Sequence, residues 1–252
     1  MKVLLYLSFL GTNYCGYQIQ PNGITVQQRL NEAAKALFGY DCDIVGCSRT
    51  DSGVHANCFC ATVSKKGIDG LDTTIPVEKI PVAMSNFLPQ DISVFDAKVV
   101  SDDFHARYDV KYKEYVYRIW NRFERDPFYF DRAYHYPKKI DDIAMMRMND
   151  AAGRFIGTHD FSAYMRADSD VASTVRTIYD AQVIRNGDLI EFKVSADGFL
   201  YNMVRILTGT LLAVAENKIS PEDIEKITLS RDRKMAGMTV PPQGLYLNKV
   251  VY

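Results

Sequence analysis

Gly46-Cys47-Ser48-Arg49-Thr50-Asp51-Ser52-Gly53-Val54-His55-Ala56 separates two stretches that read as strands. The β-branched run Asp43-Ile44-Val45 precedes it, and an alternating run from Asn57 to Ser64 follows. A cation, a hydroxyl, a carboxylate and a glycine fall within five residues, a mixture that neither a strand nor a core requires. A carboxylate in a loop between strands can be carried by a rigid scaffold and still stay open to a ligand. Taken alone, Thr50-Asp51-Ser52-Gly53 also fits an Asx-type turn, in which Asp51 bonds its own backbone near Gly53.

On the N-terminal side, Lys2 to Phe9 reads as a strand ending at Gly11, followed by a polar, aromatic loop from Thr12 to Gln18. Thr25 and Gln28 have the spacing of a capping box. The helix they open puts Val26, Leu30, Ala33 and Leu37 on one face and stops at Gly39. Beyond the two strands, a polar stretch from Lys65 to Thr74 leads to a helix over residues 77–87. Leu88-Pro89 breaks that helix, and Ile92 to Val99 reads as a strand. The order is βαββαβ, the ferredoxin-like unit.

The second half gives the same order. Lys113 to Trp120 is a strand with alternating Tyr115, Tyr117 and Ile119. A helix near 141–155 spaces Ala144, Met148, Ala151 and Phe155 by four, three and four. Residues 176–185 and 189–196 form a hairpin closed by Asn186-Gly187, a strong short-range hairpin signal. A helix over about 199–215 carries Met203, Leu207, Leu211 and Val214 on one stripe. Ser220-Pro221-Glu222-Asp223 opens a further helix as a second capping box, and Leu245 to Val251 is the last strand. The expected domains are residues 1–105 and 106–252, two halves of an α+β fold. Joined edge to edge they make one wide, mainly antiparallel sheet, with helices on one face and a cleft at the seam.

At 252 residues and 47% apolar content the chain can bury a sizeable core. A net charge of −1 excludes polyanion binding through the overall field. Five cysteines, odd in number and without a C-x-x-C pair, fit free thiols in a reducing cytoplasm. The set Cys47, His55, Cys58 and Cys60 matches no standard zinc spacing. Residues 3–10 are too short for a signal core and no A-x-A site follows. No stretch is long enough to span a bilayer.

Charge is uneven along the chain. Residues 1–105 hold 8 basic and 11 acidic side chains, whereas residues 107–139 hold 9 basic against 5 acidic. Tyr108, Tyr112, Tyr115, Tyr117, Trp120, Phe123, Phe128 and Tyr129 are interleaved with those cations. Cations for phosphates beside rings that stack on bases make an RNA-binding surface; the same rings also suit a strand that sends half of them into the core.

Several separated motifs resemble, in order, those of the tRNA pseudouridine synthase A family. They are Gly11-Thr12-Asn13-Tyr14-Cys15-Gly16-Tyr17-Gln18-Ile19-Gln20, the Arg49 to Ala56 loop, Phe104-His105-Ala106-Arg107, and Lys113-Glu114-Tyr115-Val116-Tyr117. Gly157-Thr158-His159-Asp160-Phe161, Gly198 to Arg205, and Gly244-Leu245-Tyr246-Leu247 complete the set. The resemblance implies the pseudouridine synthase fold and isomerisation of uridine to pseudouridine in the anticodon stem-loop of tRNA, at tRNA positions 38–40. It implies Asp51 as the nucleophile, attacking C6 of the ring or C1′ of the sugar, and Arg205 as its cationic partner. Tyr115 matches the tyrosine that stacks on the flipped base, and Arg49 the arginine that guides it out or fills its place. Arg107 and His105 become phosphate contacts or structural residues. The resemblance further implies a cytoplasmic homodimer with tRNA as partner, no DNA or membrane, and neither cofactor nor metal.

This chain departs from the family in carrying Ser48 where glycine is common, and in a longer Lys65–Thr74 segment. Two other classes compete. A non-catalytic RNA-binding protein on ferredoxin-like halves would have no need of Asp51, but the RNA-recognition string is absent. A zinc-dependent base deaminase requires H-x-E and P-C-x-x-C, and His55-Ala56-Asn57 lacks the glutamate.

Overall fold

The computed structural model describes residues 1–68, 70–166 and 171–252, so one position of the Lys65–Thr74 stretch lies outside the described residues. The chain divides into two compact units, one made of Met1–Lys111 with Tyr246–Tyr252 and the other of Tyr112–Leu245. The architecture is α+β with mainly antiparallel strands. Among the described residues no helix is long and apolar enough to cross a membrane.

The first unit contains β1 (Lys2–Phe9), α1 (Val26–Phe38), β2 (Cys42–Gly46), β3 (His55–Lys65), α2 (Ile80–Ser85) and β4 (Ile92–Val100). This is the expected βαββαβ order. Its strands run β4-β1-β3, antiparallel throughout, and β3 also pairs antiparallel with β2 over residues 61–65. The His55 end of β3 pairs parallel with β10 (Leu245–Val251), matching Tyr246 to His55 and Leu247 to Ala56. Val3, Leu5, Leu7, Leu30, Phe59, Val63, Ile80 and Met84 fill the core of this unit with almost no exposure.

Thr25 caps α1 as expected, its hydroxyl accepting the Gln28 N–H at 3.3 Å, and Gly39 ends the helix at φ 78°. The capping box is only half made: the Gln28 amide turns to Glu32 at 3.0 Å instead of reaching back. The expected helix over 77–87 shortens to a 3-10 turn at Val77–Lys79 followed by the six residues of α2.

The second unit contains β5 (Tyr112–Trp120), β6 (Tyr134–His135), α3 (Asp142–Gly153), β7 (Gly157–Asp160), β8 (Val175–Asn186), β9 (Leu189–Ala196), α4 (Met203–Ala215) and α5 (Asp223–Ser230). Its strands run β5-β9-β8-β7 in antiparallel pairs, with β6 parallel to β5. The short strands β6 and β7 carry no periodicity that sequence could reveal. In the hairpin, Asn186 pairs with Leu189, so the two loop residues are Gly187 and Asp188. Gly187 has φ 60° and Asp188 does not have a positive φ, a glycine-first turn in which Asn186-Gly187 sits one position earlier than the usual Asn-Gly pair.

α4 starts at Met203, four residues later than expected, because Asn202 adopts a left-handed φ of 63°. The helix is buried nearly all round. Thr208 and Thr210 satisfy their hydroxyls on the carbonyls of Val204 and Ile206. Gly209 is required by close approach, since a β-carbon there would lie 1.8 Å from the Met238 carbonyl oxygen. At the start of α5, Asp223 accepts both the N–H and the hydroxyl of Ser220, so the acid caps the turn from inside.

Candidate active site

The Asp51 loop is gripped from both sides within the first unit. At its start, the Cys47 N–H donates to Cys60 O at 2.8 Å, and the Cys60 N–H donates to the Cys47 sulfur at 3.4 Å. The segment from Gly11 to Gln18 packs against its other side. Tyr17 N–H donates to Thr50 O at 3.3 Å, Gly53 N–H to Tyr14 O at 3.4 Å, and the Ser52 hydroxyl to Tyr14 O at 3.2 Å. Two glycines allow this approach. A β-carbon on Gly11 would lie 2.0 Å from Val54 O, and one on Gly16, at φ 81°, would lie 2.4 Å from Thr50 O.

The turn itself is closed by main chain: Val54 N–H donates to Asp51 O at 3.2 Å, with Gly53 at φ 77°. Asp51 is half-buried at its head. His55, fully buried, accepts the Gly11 N–H on Nδ1 at 2.9 Å and faces the Tyr246 ring at 4.6 Å. The proton of its neutral ring therefore sits on Nε2, and its work is to fasten the Gly11 segment to the loop.

Beside the loop lies a cavity of about 210 Å³ whose wall includes Arg49, His105, Arg107, Tyr108, Tyr17 and Gln18. It brings together three residues singled out from sequence: Arg49, His105 and Arg107. The last two belong to a segment held at several points. Asp109 accepts the His105 N–H at 2.8 Å, and His105 Nδ1 accepts the N–H groups of Arg107 and Tyr108 at 3.1 and 3.3 Å. The Tyr252 hydroxyl donates to Ala106 O at 2.8 Å, and the Lys2 ammonium donates to Phe104 O at 3.3 Å. His105 thus shapes its own turn.

Tyr17 forms the floor. Its ring stacks on Phe59 at 4.3 Å, and the lack of a β-carbon on Gly46 makes room for it. The hydroxyl is buried without a hydrogen-bond partner, and burial, with Cys47 adding, pushes its ionisation far above the usual phenol range. The sequence places Tyr17 and Gln18 in a motif and Tyr108 among the interleaved rings, but does not mark them as parts of this wall. The glycine pair flanking Thr12–Cys15 was the available signal, because two glycines so spaced mark close backbone approach.

Tyr115 and Arg205 belong to the second unit. Tyr115, on β5, is 7% exposed and meets Phe199 edge-on at 5.0 Å. Arg205 lies in the first turn of α4, half-buried, where its Nε donates to Val240 O at 2.8 Å and Nη1 to Asn202 Oδ1 at 2.8 Å. The left-handed turn at Asn202 places that acceptor. Tyr117 is fully buried, its hydroxyl donating to Pro241 O at 2.6 Å.

The aromatic residues between 107 and 139 divide by role. Tyr115 and Tyr117 are core, and Trp120 stacks on Tyr129 at 4.5 Å. Tyr108, Phe123 and Phe128 are 75%, 82% and 81% exposed, far beyond what a core strand allows. All five cysteines are free thiols.

The family model and the sequence relatives name one family. A family model described as tRNA pseudouridine synthase matches residues 6–109 and 151–252. The chain is 44% identical over 253 residues to the tRNA pseudouridine synthase A of Thermoanaerobacter sp. (strain X514), covering 100% of this chain and 99% of that protein. It is 42% identical over 252 residues to the tRNA pseudouridine synthase A of Clostridium acetobutylicum, with the same coverage of 100% and 99%. Among solved structures, a chain of a Cbf5–Nop10–Gar1 complex aligns with 97% of this chain and 57% of its own length, at a TM-score of 0.35 and 11% identity.

Proposed function

Since the chain belongs to the tRNA pseudouridine synthase family and is an isomerase, we propose that it isomerises uridine in the anticodon stem-loop of tRNA, at positions 38–40. The reaction breaks the N1–C1′ glycosidic bond and forms C1′–C5, and the C5 proton passes to solvent while N1 gains one. Product and substrate have the same formula, so the chemistry calls for a nucleophile and a pocket for an unstacked base rather than for a redox group.

Asp51 is the proposed nucleophile. A carboxylate is ionised at neutral pH and can both add and depart, whether the addition is at C6 or at C1′. Arg205 is its proposed cationic partner, which favours the charged form. Tyr115 is proposed to stack on the flipped uracil, offsetting part of the unstacking cost. Arg49 guides the base out or fills its place, Arg107 meets phosphate, and His105 positions Arg107. The enzyme is proposed to act in the cytoplasm as a homodimer, an assembly that light scattering in solution reports directly.

The observation that carries this reading is the convergence of Arg49 and Arg107 on one cavity walled by Gly46, Ser48 and Arg49 at the start of the loop that bears Asp51, although Asp51 itself is not among its wall residues. Cations gathered from two separate loops on one cavity suit an RNA substrate. The test uses unmodified tRNA transcript labelled with tritium at C5 of uridine. Wild type releases the label; Asp51→Asn and Asp51→Ala release essentially none while still retaining tRNA on a filter. Full release by Asp51→Ala rejects the assignment.

A further inference from the structure

We propose that the cavity at the start of the Asp51 loop holds a second nucleotide of the RNA, a neighbour of the one being isomerised, with its phosphate on Arg107 and its base on the Tyr108 ring. This inference rests on the tRNA pseudouridine synthase reading and extends it to a subsite.

Four observations support it. The space, about 210 Å³, is on the scale of one nucleotide rather than a stacked helix. Two arginines from different loops, Arg49 and Arg107, line its wall, and cationic side chains fix a phosphate in register without reading sequence. Tyr108 is 75% exposed, with the His105 ring at 4.3 Å and the Arg107 guanidinium 5.9 Å from its centroid. An aromatic ring this exposed, beside an imidazole and a guanidinium, offers a base a stacking partner.

The backbone share of ordering that ring has already been met by the fold. Asp109, His105 Nδ1 and the Tyr252 hydroxyl hold main-chain groups of residues 105–107, so binding a base has mainly side chains left to order. The fourth observation is polar. Gln18 brings to the same wall an exposed amide with a donor and an acceptor suited to a base edge.

Steady-state tritium release from unmodified tRNA transcript tests the subsite through Tyr108. Tyr108→Ala is expected to raise KM about ten-fold with kcat unchanged, the size of one lost base stack, and Tyr108→Phe to restore KM. Arg107→Gln is expected to lower the slope of log affinity against log salt by about 0.7, as for one single-strand phosphate contact. A KM within about two-fold of wild type in Tyr108→Ala overturns the proposal, since a lost stack is larger than that. So does a loss confined to kcat, or a failure of Tyr108→Phe to rescue. If wild type releases no tritium, the functional reading has failed; filter binding of the same transcript to wild type and Tyr108→Ala still decides the subsite.

Discussion

A β-carbon on Gly16 would lie 2.4 Å from the carbonyl oxygen of Thr50, the residue just before Asp51. That approach lets the Tyr17 N–H reach the same carbonyl. Gly39 has nearly the same backbone, φ 78° against 81°, but nothing lies within 4 Å of where its β-carbon would be. Gly39→Ala is therefore expected to cost about 1 kcal/mol, the backbone term alone, and Gly16→Ala about 2–3 kcal/mol more. Urea unfolding of both variants measures the difference. Equal costs would mean that the contact at Thr50 relaxes freely.

Two buried tyrosines make opposite predictions. Tyr17 keeps a hydroxyl without a partner, whereas Tyr117 donates to Pro241 O at 2.6 Å. Tyr17→Phe is expected to be neutral or stabilising by up to about 1 kcal/mol, and Tyr117→Phe to lose about 1 kcal/mol or more. The pair can be read from chemical denaturation midpoints at constant m-value. Combined with the turnover assay, Tyr17→Phe also shows whether the hydroxyl matters to substrate while the fold is intact.

At Tyr115 the ring and the hydroxyl are separable. Phe retains the edge contact to Phe199, while Ala leaves a cavity at a position only 7% exposed. Tyr115→Ala is expected to cost about 3–5 kcal/mol of stability in addition to its turnover. Tyr115→Phe should keep far more activity than Ala. Activity equally lost in both variants would assign the role to the hydroxyl instead.

Glu216 sets an acid limit on the second unit. Lys138 at 2.7 Å, with Lys218 and the Tyr136 hydroxyl, lowers its carboxyl from 4.5 to about 2. A carboxyl depressed on folding stabilises above its unfolded value and loses that contribution as pH falls from 4.5 toward 2. Glu216→Gln is expected to be about 1–2 kcal/mol less stable than wild type at pH 7, because the carboxylate is partly screened by solvent. The gap should close progressively below pH 4.5. A gap independent of pH would assign the loss to packing.

Much of this architecture was legible because its signals are local. Thr25 and Gly39 bracket α1, and Asn186-Gly187 marks the hairpin, as capping and turn chemistry require. The misreadings came from choices that neighbours decide. Gln28 bonds Glu32 rather than closing its box, and the left-handed turn at Asn202 delays α4. At the candidate site, Arg49, His105 and Arg107 could be named from motifs, but their shared cavity could not. It depends on contacts between distant positions, such as Ala106 with Tyr252 and Gly11 with His55, which leave no period in the chain.

The division of the first unit into Met1–Lys111 and Tyr246–Tyr252 also sets a timetable for synthesis. A ribosome translates Asp51, Arg49 and Arg107 early, yet Tyr246 beside His55 and Tyr252 beneath Ala106 are added only after the whole of the second unit. A nascent chain halted before Tyr246 would hold those early residues and the Cys60, Tyr14 and Tyr17 contacts of the Asp51 loop, but neither the Tyr246 ring against His55 nor the Tyr252 hydrogen bond to Ala106. Maturation of this half therefore waits on seven residues encoded far downstream, while the uninterrupted stretch from Tyr112 to Leu245 is under no such delay.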